Sequence, residues 1–330
     1  MTRIAIIGAG VSGLTVANNL KNHAEITIFE KARSVGGRMS NRRAEPYFFD
    51  HGAQYFSVKT DEFKALIAPM INDGIVKSWN ARFAEIEGRT IIRRRQWDDE
   101  YPHYVGVPSM SSIAKRLSDG MNLKLGTRVH SISKQLGKWS LINGQGRSLG
   151  EYDWVISAIP AEQAAGLLPL SSPLYREISL IKMEGCFSLM LGFDQALPLE
   201  FDSALIRGED ISWISVNSSK PDRKGGFCLL VHSTNSWADA HRDDDRDEVM
   251  HYLCQQTRLV IGHDVSKADH KAIHGWHYAN SKKLTGDTHF IDTNENIGVC
   301  GDWCIQGRVE AAFISGFDLG KRVLTELNNV

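Results

Sequence analysis

The hexapeptide Gly8-Ala9-Gly10-Val11-Ser12-Gly13, set between an apolar run and a helical pattern, restricts this chain more than any other stretch. Arg3–Ile7 reads as a buried strand, 13–22 as a helix and 25–30 as a second strand. Together they make a βαβ unit with G-x-G-x-x-G at its first turn. Gly8 makes the tight turn, Gly10 lets the main chain approach a pyrophosphate, and Gly13 lets helix and strand pack closely. Val11 and Ser12 stand at the helix N-terminus, which would stabilise phosphate charge. Glu30 closes the second strand about 20 residues on, where an acid accepts hydrogen bonds from a ribose, and Lys31 follows it. A glycine-rich turn in an unrelated fold would not need that acid. The fingerprint predicts a dinucleotide site but does not separate NAD from FAD.

The rest of the chain changes texture twice. A helix is expected at 60–71, then a hairpin around Glu87-Gly88 flanked by Trp79, Phe83, Ile91 and Ile92. A helix at Ser111–Leu117, a strand at 123–133 carrying Val129, and an apolar strand at 152–159 ended by Pro160 follow. From Gly185 onward, strands at 186–193, Ile211–Val216, 227–232 and 272–278 alternate with long polar connections. One amphipathic helix, 243–259, sets Val249, Leu253 and Val260 on one face. A short strand at 297–300, Gly301-Asp302 and a helix at 309–327 restore the α/β style. The pattern predicts an α/β protein with a discontinuous Rossmann-like cofactor domain, residues 1–57, 109–175 and 293–330. Into it is inserted a mixed or antiparallel β-sheet substrate domain, residues 58–108 and 176–292.

Charge and cysteine usage exclude several classes. With 330 residues, a net charge of -1 and 42% hydrophobic residues, the chain can bury a core but lacks the cationic face that nucleic acid or an acidic membrane requires. No apolar run approaches the roughly 18 residues of a membrane helix. The sequence enters a strand directly, without a basic leader, so a cytoplasmic location is expected. Five scattered cysteines agree with a reducing compartment and no disulfide framework. No metal site is expected: His274 and His277 are too few, and Asp243-Asp244-Asp245 suit a helix start. Arg93-Arg94-Arg95 could hold substrate phosphates, although a solvated hairpin is the simpler account.

Beyond Glu30, the stretch through Gly36-Gly37-Arg38-Met39 resembles the G-G-R extension of the amine-oxidase-like FAD flavoproteins. Phe49-Asp50-His51-Gly52-Ala53-Gln54-Tyr55-Phe56 resembles that group's segment passing the isoalloxazine ring, and Gly301-Asp302 its glycine–acid signature. Met39-Ser40, Ser219-Lys220-Pro221, Ser236-Trp237, Gly301-Asp302-Trp303-Cys304 and Gly307-Arg308-Val309-Glu310 are similar to the bacterial renalase branch, in order along essentially the whole chain.

The resemblance implies non-covalent FAD. Its holders would include Gly37, Arg38 and Met39, then Gly52, Ala53 and Gln54, then Val129, Asp302, Arg308, Val309, Glu310 and Ala311. It also implies an oxidase of 2- and 6-dihydro isomers of NAD(P)H, with O2 as acceptor and H2O2 as product. Such chemistry rests on positioning and exclusion of water, because the product ring aromatises. Gln54, Tyr55, Trp276 and Tyr278 are the expected pocket walls, against the plainer account of scaffold and core packing. His232 ends a strand of the inserted domain and would reach the pocket or serve structure. The lysine that amine oxidases usually hold near flavin N5 is missing from 186–193. A flavin amine oxidase and a non-catalytic flavin-bound sensor or scaffold are the alternatives.

Overall fold

The computed structural model describes residues 1–329. The chain forms two compact units: residues 1–38, 114–183 and 281 onward in the first, 39–113 and 184–280 in the second.

The first unit is built on a six-stranded sheet. Its order is Phe290–Asp292, Ile297–Val299, Trp154–Ser157, Arg3–Ile7, Glu25–Phe29 and Leu123–Lys124. All neighbours are parallel except the antiparallel edge strand Phe290–Asp292. Its central strands are apolar on both faces, as a sheet covered by helices requires. Helices Val11–Leu20 and Val309–Asn328 pack against each other at unusually short range. A Cβ on Gly316 would lie 2.3 Å from the Ser12 carbonyl oxygen, so only glycine fits there. The Ser12 hydroxyl donates to the Ala312 carbonyl at 2.7 Å.

The strand expected at 123–133 is two strands. Leu123–Lys124 ends the large sheet, the chain turns at Gly126 (φ 64°), and Val129–Gln135 opens a three-stranded antiparallel sheet with Lys138–Asn143 and Ser148–Tyr152. Its polar, largely exposed first strand gave no periodic signal.

The second unit carries a seven-stranded sheet in the order His270–Ser281, Met183–Phe193, Phe227–Ser233, Ile211–Val216, Ser203–Arg207, Arg82–Glu87, Thr90–Gln96. Period-two alternation gives it two different faces. Leu189, Leu191, Leu229, Val231 and Ile214 point to one side, where Val249, Leu253 and Val260 of helix Arg246–Ile261 complete an aliphatic core. On the other side, cross-strand register aligns Ser188, His232 and Trp213 in one row and Met190, Leu230 and Ser215 in the next. Residues 47–56 cover this second face. Tyr47 and Phe49 pack on Met190, Cys228 and Leu230, and Gly192 and Gly226 make room for the Tyr47 ring.

That packing corrects the expected domain boundaries. Residues 39–57 and 109–113 cluster with the second unit, so Met39, Gly52, Ala53 and Gln54 stand there rather than among the nucleotide-binding elements. Conversely, 176–183 and 281–292 join the first, because Phe290–Asp292 pairs with Ile297–Val299 and the Met183 N–H donates to Glu162. The helix expected from 243 begins at Arg246, with Asp245 as N-cap accepting from the Asp247 and Glu248 N–H groups. The hairpin stands where expected, with Arg93 against Glu85 and Arg94 against Glu200 on its exposed surface. No described helix is long and apolar enough to cross a membrane.

Candidate functional site

In the first unit the glycine loop has the shape a pyrophosphate needs. Gly8 (φ 106°) sits where a Cβ would meet the Ala158 carbonyl oxygen at 2.7 Å, and a Cβ on Gly13 would lie 2.1 Å from the Gly8 oxygen. Around Gly10, by contrast, a Cβ would meet nothing within 4 Å. Gly10 is the N-cap of helix Val11–Leu20, and no side chain caps that end. Open space therefore faces an N-terminus with main-chain donors to offer, the arrangement that takes a phosphate. Glu30 is buried, its carboxylate fixed by the Ala9 N–H at 2.9 Å and the Ala32 N–H at 2.8 Å. Each of its oxygens keeps a further lone pair for a ribose hydroxyl. Lys31 is exposed and reaches Gln163 at 3.3 Å.

Arg38 and Asp302, 264 positions apart, form a two-pronged ion pair in which Nη1 lies 2.8 Å from Oδ2 and Nη2 also bonds Oδ1. The two motifs that carry them thus meet in space, and each side chain is fixed by the other. Arg308 is the exposed, extended N-cap of helix Val309–Asn328, again without a side-chain cap. Glu310 and Ala311 are buried in its first turn, Val309 is half-buried, and Val129 is buried at the start of its strand.

On the second face of the other sheet lies a group of charged residues to which the sequence reading gave no role. Asp50 accepts from Arg223 Nη2 at 2.6 Å, Arg223 Nε at 3.2 Å and the Met110 N–H at 2.9 Å. The Lys220 ammonium lies 3.4 Å from Asp50, 3.0 Å from Asn217 Oδ1 and 3.1 Å from Gln54 Oε1. All three side chains are nearly inaccessible. Burial alone would raise the Asp50 pKa, but Lys220 and Arg223 overcome it and hold the carboxyl below its usual range. Burial pulls Lys220 down to about 8 against the attraction of Asp50.

Gln54 is absorbed into this network. Its amide nitrogen donates to the Asp50 and Gly52 carbonyls at 2.5 and 2.8 Å, and its oxygen accepts from Ser215 at 2.7 Å and from Lys220. No hydrogen-bonding capacity is left for a substrate, so Gln54 shapes the Gly52 segment from behind. Gly52 and Ala53 are half-buried beside it.

The neighbouring residues form an aromatic wall. The His51 carbonyl accepts from Ser188 Oγ at 2.7 Å and Trp276 Nε1 at 2.8 Å, with His232 close by. The His51 ring stacks on Trp276, with centroids 5.0 Å apart, and meets His274 edge-on at 4.9 Å. Tyr55 lies 5.0 Å from Trp97, 4.9 Å from His103 and 5.7 Å from Trp213. Tyr278 is half-buried with its ring nearest His277, and it does not join the His51–Trp276 stack. Burial, reinforced by His274 and the nearby Arg42 cation, pulls His51 down to about 3. Burial likewise brings His232 and His274 to about 4. All three are therefore neutral at pH 7.

Comparison with known proteins adds the following. The family profile of flavin-containing amine oxidoreductases matches residues 86–324, and that of NAD(P)-binding Rossmann-like domains matches residues 6–69. A 65-residue stretch is 46% identical to a 4,4'-diapophytoene desaturase (4,4'-diaponeurosporene-forming) of Staphylococcus haemolyticus (strain JCSC1435), covering 19% of this chain but only 13% of that enzyme. A candidate protoporphyrinogen oxidase from Exiguobacterium sp. 255-15 has the same fold, with a TM-score of 0.77 at 12% identity over 99% of both chains. Cyclohexylamine oxidase from Brevibacterium oxydans IH-35A gives 0.75 at 12% identity, again over 99% of both chains.

Proposed function

The chain belongs to the flavin-containing amine oxidoreductase family, and from that premise we propose that it is an FAD-dependent oxidase of isomeric dihydronicotinamides. In this reaction a 2- or 6-dihydro isomer of NAD(P)H, O2 and a proton give NAD(P)+ and H2O2. The uncapped helix N-terminus at Gly10, the fixed Glu30 carboxylate and the Arg38–Asp302 pair suit the ADP and pyrophosphate portions of FAD. FAD, when bound, supplies the two-electron acceptor.

The observation that carries the substrate reading is the neutral aromatic wall. Trp276, His51, His232 and Tyr55 present rings without charge, and Asp50, the buried carboxylate on that face, is already held by Arg223 and Lys220. Such a wall suits a flat, uncharged dihydropyridine by stacking; an ammonium could also lie over the ring faces, but Asp50 is not free to pair with it. Loss of hydride from that ring generates an aromatic pyridinium, so no buried general base is needed, and the residues of the wall serve to orient the ring and exclude water.

Anaerobic mixing of the purified yellow protein with 2- and 6-dihydro-NAD(P), and separately with a panel of small amines, tests this reading. Bleaching of the flavin by the isomers within seconds is the expected result. Bleaching by amines alone would assign the activity for which cyclohexylamine oxidase is named, and no bleaching by either would leave a flavin-bound scaffold.

A further inference from the structure

Buried polar atoms without a partner mark places where a folded chain awaits a group from outside. On the aromatic side of the seven-stranded sheet, Trp213 Nε1 and His232 Nε2 are both buried and unpartnered. The two residues face each other across adjacent strands, just past a register shift at Ser212, so their side chains leave the same face as neighbours.

Their hydrogen-bonding characters are opposite. An indole N–H can only donate. His232 lies beside the His51 carbonyl, which can only accept, and its ring is neutral. With the proton on Nδ1, towards that carbonyl, Nε2 presents a lone pair. One donor and one acceptor therefore stand side by side, next to the rings of Tyr55, Trp97 and His103.

We propose that Trp213 Nε1 and His232 Nε2 together bind a primary carboxamide, the indole N–H donating to its oxygen and the imidazole accepting from its NH2. An ammonium satisfies His232 and leaves the indole proton unpaired, whereas a carboxylate does the reverse. A group carrying both functions fits both atoms, and on the dihydronicotinamide reading that group is the ring's carboxamide. The inference rests on the dihydronicotinamide reading and deepens it: the substrate is recognised as a 3-carboxamide, whichever ring carbon carries the extra hydrogen.

The test uses the holoenzyme and two dinucleotides, isomeric dihydro-NAD and the matching dihydro form of its 3-acetylpyridine analogue, which keeps the oxygen but lacks the NH2. The half-saturating concentration for single-turnover flavin bleaching should be about tenfold higher for the acetyl compound, as one lost hydrogen bond implies. His232→Leu should weaken the carboxamide by a similar factor and abolish the difference. Trp213→Phe should weaken both ligands equally and preserve it. Equal use of both dinucleotides by the wild-type protein overturns the proposal while leaving the oxidase reading intact. If neither dinucleotide bleaches the flavin, titration with benzamide and acetophenone, followed in the visible flavin spectrum, still decides it. Preference for benzamide that His232→Leu removes supports the pair, and equal binding overturns it.

Discussion

In the six-stranded sheet, Ile4, Ile6, Ile28, Val155 and Val299 are buried among apolar neighbours, and the elements that suit the cofactor stand at strand ends and helix starts. In the seven-stranded sheet, one face is aliphatic core, and the other carries Ser188, His232, Trp213 and Ser215 in register under residues 47–56. The first unit works largely through main-chain geometry at its glycines, with Glu30 and the Arg38–Asp302 pair as the fixed side chains beside them. The second presents side chains on one face, where the proposed recognition turns on single atoms such as Nε2 of His232. A steric change should therefore be fatal in the first unit, and an isosteric one should be selective in the second.

The sharpest way to break that contrast is Gly13→Val. Its Cβ would sit 2.1 Å from the Gly8 carbonyl oxygen, a main-chain atom that cannot swing aside. The expected outcome is protein that is insoluble or colourless, read as the ratio of flavin to protein absorbance; a yellow variant would mean the loop can open. Arg223→Leu comes next. It leaves Asp50 and Lys220 in a dry site with one partner fewer, and should cost about 3–5 kcal/mol in urea unfolding. A loss below about 1 kcal/mol would show that the charged cluster is relaxed by water.

Acid should act on the aromatic side of the second sheet. His51 and His232 fall from 6.5 to about 3 and about 4 on folding, so the unfolded chain binds more protons between those values. Their contribution is fully present above about pH 6.5 and is lost as the pH falls towards 4, on the order of 2 kcal/mol each by pH 5. Urea midpoints at pH 7 and 5 should converge for His51→Phe relative to wild type; parallel slopes would count against the neutral wall. The smallest effect is expected from Arg94→Ala, an exposed residue paired with exposed Glu200. Stability should change by less than about 0.5 kcal/mol, with unchanged half-saturation by substrate. A tenfold rise in half-saturation would instead give the basic run a role in holding substrate phosphate.

How far the sequence could be read follows the same division. Gly8, Gly10, Gly13, Gly37 and Gly301 were legible because a backbone that must bend or come close leaves glycine at fixed intervals, and the pairing of Arg38 with Asp302 joins two motifs recognised separately. Most strands of the second sheet were legible, but Ser203–Arg207 was not, and neither was the purpose of the polar residues on the sheet. Nothing local distinguishes Lys220 from an exposed lysine, because its burial depends on Asp50, 170 positions away. Gln54 was expected to line the pocket, but the Ser215 and Lys220 contacts that occupy its amide arise only when the sheet forms, so no local signal showed them.

The Arg38–Asp302 pair also sets a schedule. A ribosome adding about 5–20 residues per second separates the two side chains by tens of seconds, since 264 positions lie between them. Throughout that interval helix Val11–Leu20 lacks the glycine-lined surface of Val309–Asn328 against which it packs. The nascent chain must carry its glycine loop and exposed helix unfinished until the distant segment arrives. A cofactor that needs both halves of the ion pair and both helices finds its site complete only after Val309–Asn328 has been made, not before.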